Sequence, residues 1–144
     1  MCGFVISIGN FSELELKQAT QSIVHRGPDD TNFYFNEKNK IKIGFNRLSI
    51  IDVNNGRQPF ISEDGNCVLA YNGEIYNADI LRKELEQQSI KFKTRNSDTE
   101  VFLRGYQFWG TKIFNKIDGM FAVTIIDYKL NKVIVARDKF GEKP

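Results

Sequence analysis

Four short segments of the chain are apolar almost throughout: Phe4 to Ile8, Cys67 to Tyr71, Met120 to Ile126 and Val133 to Ala136. They are rich in Val, Ile and Phe and too short for helices, so they read as strands covered on both faces. A second kind of segment alternates. Phe33 and Phe35, then Ile41, Ile43 and Phe45, predict a hairpin with its apolar groups on one face and a polar turn over Asn36 to Lys40. Helices are marked by their starts. Ser12-Glu13-Leu14-Glu15 fits a capping box, Phe11 and Leu16 are spaced as a hydrophobic staple, and Leu16, Ala19 and Ile23 recur at helical spacing. Asn77 is placed to cap a second helix carrying Leu81 and Leu85 one turn apart. Ser97-Asp98-Thr99-Glu100 fits a capping box again, ahead of a stripe of Phe102, Tyr106 and Trp109, and Asn55-Gly56 and Asp64-Gly65 mark turns. Doubly buried strands with amphipathic helices predict an α+β domain of two packed sheets with helices outside.

A chain of 144 residues is long enough for one domain burying roughly 68–70% of its unfolded surface, without a disulfide or metal to hold it. Lys and Arg number 20 against 18 Asp and Glu, for a net charge of +2 with both signs scattered. No basic block stands out, so neither nucleic acid nor an anionic membrane is expected as a partner. Cys2 and Cys67 are too few for a disulfide scaffold and too far apart for a metal clasp, and the single histidine, His25, leaves a zinc site short of ligands. Neither a long apolar stretch nor a basic-then-apolar leader pattern is present, so the expectation is a soluble protein of a reducing compartment, the cytoplasm.

Cys2 lies one proteolytic cut from the chain terminus. Methionine is normally trimmed before a small residue, so the mature protein is expected to begin at Cys2. Its α-amine, with a pKa of roughly 7.7–8.0, could then take the proton of a thiol whose own pKa is about 8.5. One residue would supply both nucleophile and base. The alternative is a small residue opening a buried strand. Tyr71 to Asn77 reads either as a turn after a strand or as an oxyanion hole, with the Asn72 side-chain amide and the Gly73 N–H as its two donors. Arg47 is a surface residue or a bidentate grip on a carboxylate. Asp98 is favoured by the helix macrodipole whatever its role, and could hold an ammonium. His25 sits in a Gly-Pro turn that nothing points at Cys2, so a loop-ordering role is expected of it rather than a Cys-His dyad. Cys67 reads as an inert core thiol.

In order along the chain stand Met1-Cys2-Gly3, His25 to Asp29, Arg47 to Asp52, Gln58-Pro59, Tyr71 to Asn77, Ser97 to Glu100, Asp118 to Ala122 and Arg137-Asp138. Together they resemble the glutaminase domain of class II glutamine amidotransferases, in particular that of glutamine-using asparagine synthetases, over nearly the whole chain. The resemblance implies an N-terminal-nucleophile hydrolase sandwich: four αββα layers with two antiparallel sheets, residues 1–144 forming one glutaminase domain mature from Cys2. In the family that domain continues past Pro144 with further strands and then a synthetase domain, so a C-terminally truncated sandwich is expected here.

The resemblance also implies roles. Cys2 would be the nucleophile and its amine the base, with Asn72 and Gly73 as the oxyanion hole. Arg47 would bind the α-carboxylate of glutamine, Asp98 and Glu74 its α-ammonium, and the backbone from Leu48 to Ile50 would line the pocket. Glutamine would pass through a γ-glutamyl thioester to glutamate, and its ammonia to an ATP-dependent synthetase domain. No cofactor is implied for the glutaminase half-reaction, ATP and magnesium belonging to the synthetase domain. The implied partners are glutamine and that domain, and a homodimer is compatible with them. Two residues depart from the family pattern: Asn46, where many relatives carry a basic residue, and Glu142, where an apolar one is usual. Two alternatives stay open: a glutaminase domain serving a different acceptor, and a non-catalytic module or inactive fragment of the same fold.

Overall fold

A computed structural model describes residues 1–49 and 57–143. Strands β1 (Gly3–Ile8), β2 (Asp30–Asn36) and β3 (Ile41–Arg47) form an antiparallel sheet in the order β1-β3-β2. Strands β4 (Phe60–Ile61), β5 (Cys67–Ile75), β6 (Gly119–Asp127) and β7 (Lys132–Arg137) form a second, in the order β4-β5-β6-β7, also antiparallel. Helix α1 (Glu13–Ser22) lies on the first sheet, and α2 (Ala78–Gln87) and α3 (Asp98–Trp109) on the second.

Strand alternation builds the layers. Ile41, Ile43 and Phe45 of β3 meet Val68, Ala70 and Ile126 between the sheets, with Cys2, Phe4 and Ile6 packed against them. The intervening residues of β5 and β6, among them Leu69, Tyr71, Phe121 and Val123, join Leu81, Phe102 and Tyr106 beneath α2 and α3. Phe102 centres that second cluster, with Tyr71, Phe114 and Phe121 edge-on to it at 5.4, 5.9 and 5.5 Å. Truncating such a residue costs about 3–5 kcal/mol. On the outer side of β3, a Cβ at Gly44 would run into Thr20 Oγ1, so α1 rests directly on the strand backbone. The order is helix, sheet, sheet, helix, as expected.

Several details differ from expectation. The hairpin forms, but its apolar groups do not share one face. Register sets Phe33 opposite Gly44 and Phe35 opposite Lys42, whereas Tyr34 stands opposite Ile43. Directly opposed residues point the same way. Phe33 and Phe35 therefore lie on the α1 side, and Ile41, Ile43 and Phe45 face the second sheet. Nor is β7 covered on both faces: it is the edge strand beside β6, and Val133 and Val135 are 39% and 77% exposed. The strand opening at Cys67 runs on past Tyr71, because β6 continues to pair with it through Asn72↔Ala122, Gly73↔Phe121 and Glu74↔Met120.

The helix starts vary as well. Ser12 and Glu15 form the full capping box of α1, but Phe11 is half exposed and leaves Leu16 as the buried anchor. Ser97 caps α3, while the Glu100 carboxylate turns instead to the N–H groups of Lys93 and Thr94. Asn77 occupies the N-cap position of α2, its main-chain O accepting from Ile80 N and Leu81 N, but its side chain turns away from the helix, donating to Lys116 O and accepting from Asp118 N. The Asn55-Gly56 turn lies outside the described residues, as do Ile50 to Asp52 and Pro144. No described helix is long and apolar enough to cross a membrane.

Candidate active site

Cys2 leads into β1 on its inter-sheet side. Its Sγ lies between the two main-chain groups of Leu48: the Leu48 N–H donates to it at 3.4 Å, and the thiol donates to Leu48 O at 3.7 Å. The turn from His25 to Asp29 holds this arrangement from behind. Asp29 N donates to Arg47 O at 3.0 Å, Ser49 N to Asp29 Oδ2 at 2.7 Å, and Arg26 Nε to Cys2 O at 3.4 Å. A Cβ at Gly27 would strike the main chain of Asn46 and Arg47, so glycine alone lets the turn come this close. Loop ordering thus falls to Arg26, Gly27 and Asp29, whereas His25 is exposed and does not line the cavity beside Cys2. Asn46 is fully buried, accepting from Thr31 Oγ1 at 2.8 Å and donating to Thr20 O at 2.7 Å, which a charged basic side chain could not match.

Strand β5 supplies the opposite wall. Asn72 follows Val68 and Ala70 on the inter-sheet face. On the edge away from β6, the main-chain groups of alternate residues point outward. At Tyr71 they are taken by Gln58, whose side-chain amide donates to Tyr71 O at 2.8 Å and accepts from Tyr71 N at 2.7 Å. At Ile75 the N–H goes to Asp98 Oδ2 at 3.2 Å. Gly73 stands midway, so its N–H opens on the same edge between two filled positions. A Cβ there would strike Met120 O and come within 2.8 Å of Phe121 Cα and Cβ, so the position demands glycine.

These elements surround a cavity of about 150 Å³ lined by Cys2, Arg47, Leu48, Asn72, Gly73, Glu74 and Asp98. Seven of the eight expected site residues thus meet in one place, and the eighth, Ile50, lies outside the described residues. Arg47 is buried at the end of β3, and Glu74 is exposed at the cavity mouth. Asp98 is the first residue of α3. Burial raises its carboxyl pKa, opposed by the Tyr71 hydroxyl donating at 2.9 Å and by the Ile75 N–H. A thiol, convergent donors, a cation and a carboxylate around one small space suit acyl chemistry on a zwitterion.

Gln58, Tyr71, Met120 and Lys143 also line the cavity, and local pattern carries little sign of them. Gln58 was visible only as part of a Gln-Pro pair. Lys143 arrives on a loop wound around Asp138, whose carboxylate accepts from the N–H groups of Phe121, Phe140, Glu142 and Lys143. Burial opposes ionisation of Asp138, but these donors outweigh it and hold its pKa at about 2. Lys143 Nζ donates to Met1 Sδ at 3.2 Å. While Met1 is retained it therefore sits in the cavity, and its peptide bond ties up the Cys2 nitrogen. Cys67 is remote from the cavity. Burial, then the charges of Asp127 and Asp64, pushes its thiol up to about 11. Among the described residues no cluster of His, Cys, Asp and Glu is arranged to hold a metal ion.

Residues 1–144 match the profile of a family described as the glutamine amidotransferase domain. The chain is 44% identical to the glutamine-hydrolyzing asparagine synthetase 1 of Bacillus subtilis, aligning 100% of this chain with 23% of that protein. It is 36% identical to the corresponding asparagine synthetase 1 of Arabidopsis thaliana, aligning 98% of this chain with 24% of that one. It therefore spans about a quarter of the length of these relatives. Among solved structures, the glutamine phosphoribosylpyrophosphate amidotransferase of B. subtilis is similar with a TM-score of 0.54 and 29% identity, over 69% of this chain and 23% of that one. The two antiparallel sheets flanked by helices are the N-terminal-nucleophile sandwich of such amidotransferases. With the family profile spanning every residue, the chain belongs to the glutamine amidotransferase domain family.

Proposed function

We propose that residues 1–144 form a glutaminase domain that, once Met1 is removed, hydrolyses the side-chain amide of glutamine through Cys2. The observation that carries the proposal is the shared cavity, where the Cys2 thiol, the Asn72 and Gly73 donors, Arg47 and Asp98 all face one space. In this reading Arg47 takes the α-carboxylate of glutamine, and Asp98 with Glu74 takes its α-ammonium. Leu48 lines the pocket, which leaves the carboxamide over the sulfur.

The freed α-amine accepts the thiol proton, and the thiolate adds to the amide carbon. Charge collects on the carbonyl oxygen, where Asn72 and Gly73 donate. The amine returns its proton to the leaving nitrogen, the C–N bond breaks, and ammonia departs. Water then adds to the γ-glutamyl thioester, the C–S bond breaks, and glutamate and the thiol are released.

The names and lengths of the relatives support an acceptor: ammonia passes to an asparagine synthetase-like domain. We infer in addition that this domain uses ATP and that the protein is cytoplasmic. The hydrolytic half needs no cofactor, and ATP and magnesium belong to that second domain. The test is Cys2→Ala. Glutamate release from glutamine is expected to vanish while the melting temperature stays within about 2–4 °C of the parent. Turnover near the parental rate would remove Cys2 from the mechanism.

A further inference from the structure

Asp98 meets its proposed ligand only after meeting Tyr71. Its Oδ2 accepts from the Tyr71 hydroxyl at 2.9 Å and from the Ile75 N–H at 3.2 Å. The Tyr71 ring is 2% exposed and is fixed edge-on to Phe102, with centroids 5.4 Å apart and planes at 78°. Its main chain is held separately, at both N and O, by the buried Gln58 amide. The next residue is Asn72. Tyr71 therefore joins the carboxylate at one end of the cavity to the strand that carries the donors at the other.

We propose that Tyr71 is a positioning residue of the glutamine site: its hydroxyl aims the Asp98 carboxylate at the substrate α-ammonium, while the Gln58 grip on its main chain sets the placement of Asn72 and Gly73. The proposal rests on the assignment of Asp98 to the ammonium. A hydroxyl donating to a buried carboxylate orients it as well as stabilising its charge. With Oδ2 tied to Tyr71 and Ile75, Oδ1 is the oxygen assigned to the ligand. Without the hydroxyl, Oδ2 keeps only the Ile75 N–H of these two, and the carboxylate gains freedom to rotate. Gln58 acts on the other pole. It fills the place of a strand partner beside Tyr71, where β4 pairs with β5 only at Leu69 and Val68. The two contacts therefore carry separable kinetic signatures, ground-state binding for the hydroxyl and turnover for the amide.

The experiment is steady-state glutaminase kinetics on the Met1-processed protein, in the whole polypeptide that carries these residues. Tyr71→Phe keeps the ring and its packing. It is expected to raise KM for glutamine about tenfold, with kcat changed by less than about twofold. The second substrate is glutaramate, which is glutamine without its α-amino group and offers Asp98 no ammonium. For glutaramate, Tyr71→Phe is expected to change kcat/KM by less than about twofold. A general loss of fold would depress both substrates alike, so the ratio between them is the readout.

Asp98→Asn is expected to raise KM for glutamine, and Tyr71→Phe should add less than about twofold in that background. Gln58→Met is expected to lower kcat for both substrates. If Asp98→Asn raises KM and Tyr71→Phe does not, the positioning role is wrong while the Asp98 assignment stands. Equal losses on glutamine and glutaramate for Tyr71→Phe would likewise overturn it, and an unchanged kcat in Gln58→Met would remove the Gln58 part. If Asp98→Asn leaves KM unchanged, the Asp98 assignment falls and the proposal with it.

Discussion

At Gly73 the main chain of β6 comes too close to β5 for a side chain, and replacing the glycine with alanine should damage packing and chemistry by calculable amounts. The new Cβ would strike Met120 O and lie 2.8 Å from Phe121 Cα and Cβ, where opposed Cβ atoms normally stand about 4.5–5.5 Å apart. The strand is held on either side by Gln58 at Tyr71 and by Asp98 at Ile75. Relief must therefore come from tilting the Gly73 peptide, the one whose N–H opens on the cavity. Overpacking of this kind costs about 1–3 kcal/mol. For a domain of this size that corresponds to a fall of about 2–12 °C in melting temperature. Losing one oxyanion donor removes about 2.7–4 kcal/mol of transition-state stabilisation, a drop of about 10²–10³ in kcat. Asn72→Ala removes the other donor without a clash, and should show a kcat loss of the same order with a smaller fall in melting temperature. Both variants are assayed for glutamate release and thermal melting on the same samples. A Gly73→Ala protein that melts lower but keeps kcat within about threefold would refute the donor role. An unchanged melting temperature would refute the packing argument.

Three further outcomes are expected. Gly44→Ala drives a Cβ into Thr20 Oγ1, which itself donates to Leu16 O at 2.7 Å, so it should cost about 1–3 kcal/mol in urea unfolding and leave kcat/KM unchanged. An unaltered midpoint would contradict the seating of α1 on β3. Arg47→Leu should raise KM for glutamine by roughly 10- to 100-fold, the worth of a charge-assisted hydrogen bond, and an unchanged KM would contradict its grip on the carboxylate. Cys67 provides a pH test, because its folded pKa of about 11 lies above the reference value of 9.0. Its contribution to stability is whole below pH 9 and lost as pH rises towards 11, because the unfolded state releases the proton first. Cys67→Ala should therefore flatten the fall in urea midpoint over that window, and equal slopes in the two proteins would contradict this.

Much of the site was legible because its residues cluster in the sequence. Asn72, Gly73 and Glu74 are consecutive, Arg47 and Leu48 are adjacent, and Asp98 is marked by a helix start. The layered sandwich was legible for a similar reason: doubly apolar runs such as Cys67 to Tyr71 need cover on both sides. What escaped was set by partners distant in the chain. An Asn-Gly pair has the composition of a turn, yet Asn72 and Gly73 stay in β5 because β6 pairs with them. The outward placement of Phe33 and Phe35 is a matter of register, and a shift of one residue reverses every side chain. Val133 and Val135 have the composition of a covered strand, and only the lateral order of the sheet leaves them exposed. Gln58 stands in for a strand partner with its side chain, and Lys143 owes its place to the Asp138 turn. Neither arrangement leaves a periodic trace in the sequence.

The most direct test of the central claim is peptide mass mapping after incubation with 6-diazo-5-oxo-norleucine, an electrophilic glutamine mimic, on Met1-free protein with and without excess glutamine. A single adduct on Cys2, none on Cys67, and protection by glutamine are expected. An adduct on Cys2 that glutamine does not prevent, or equal labelling of protein that still carries Met1, would contradict that claim.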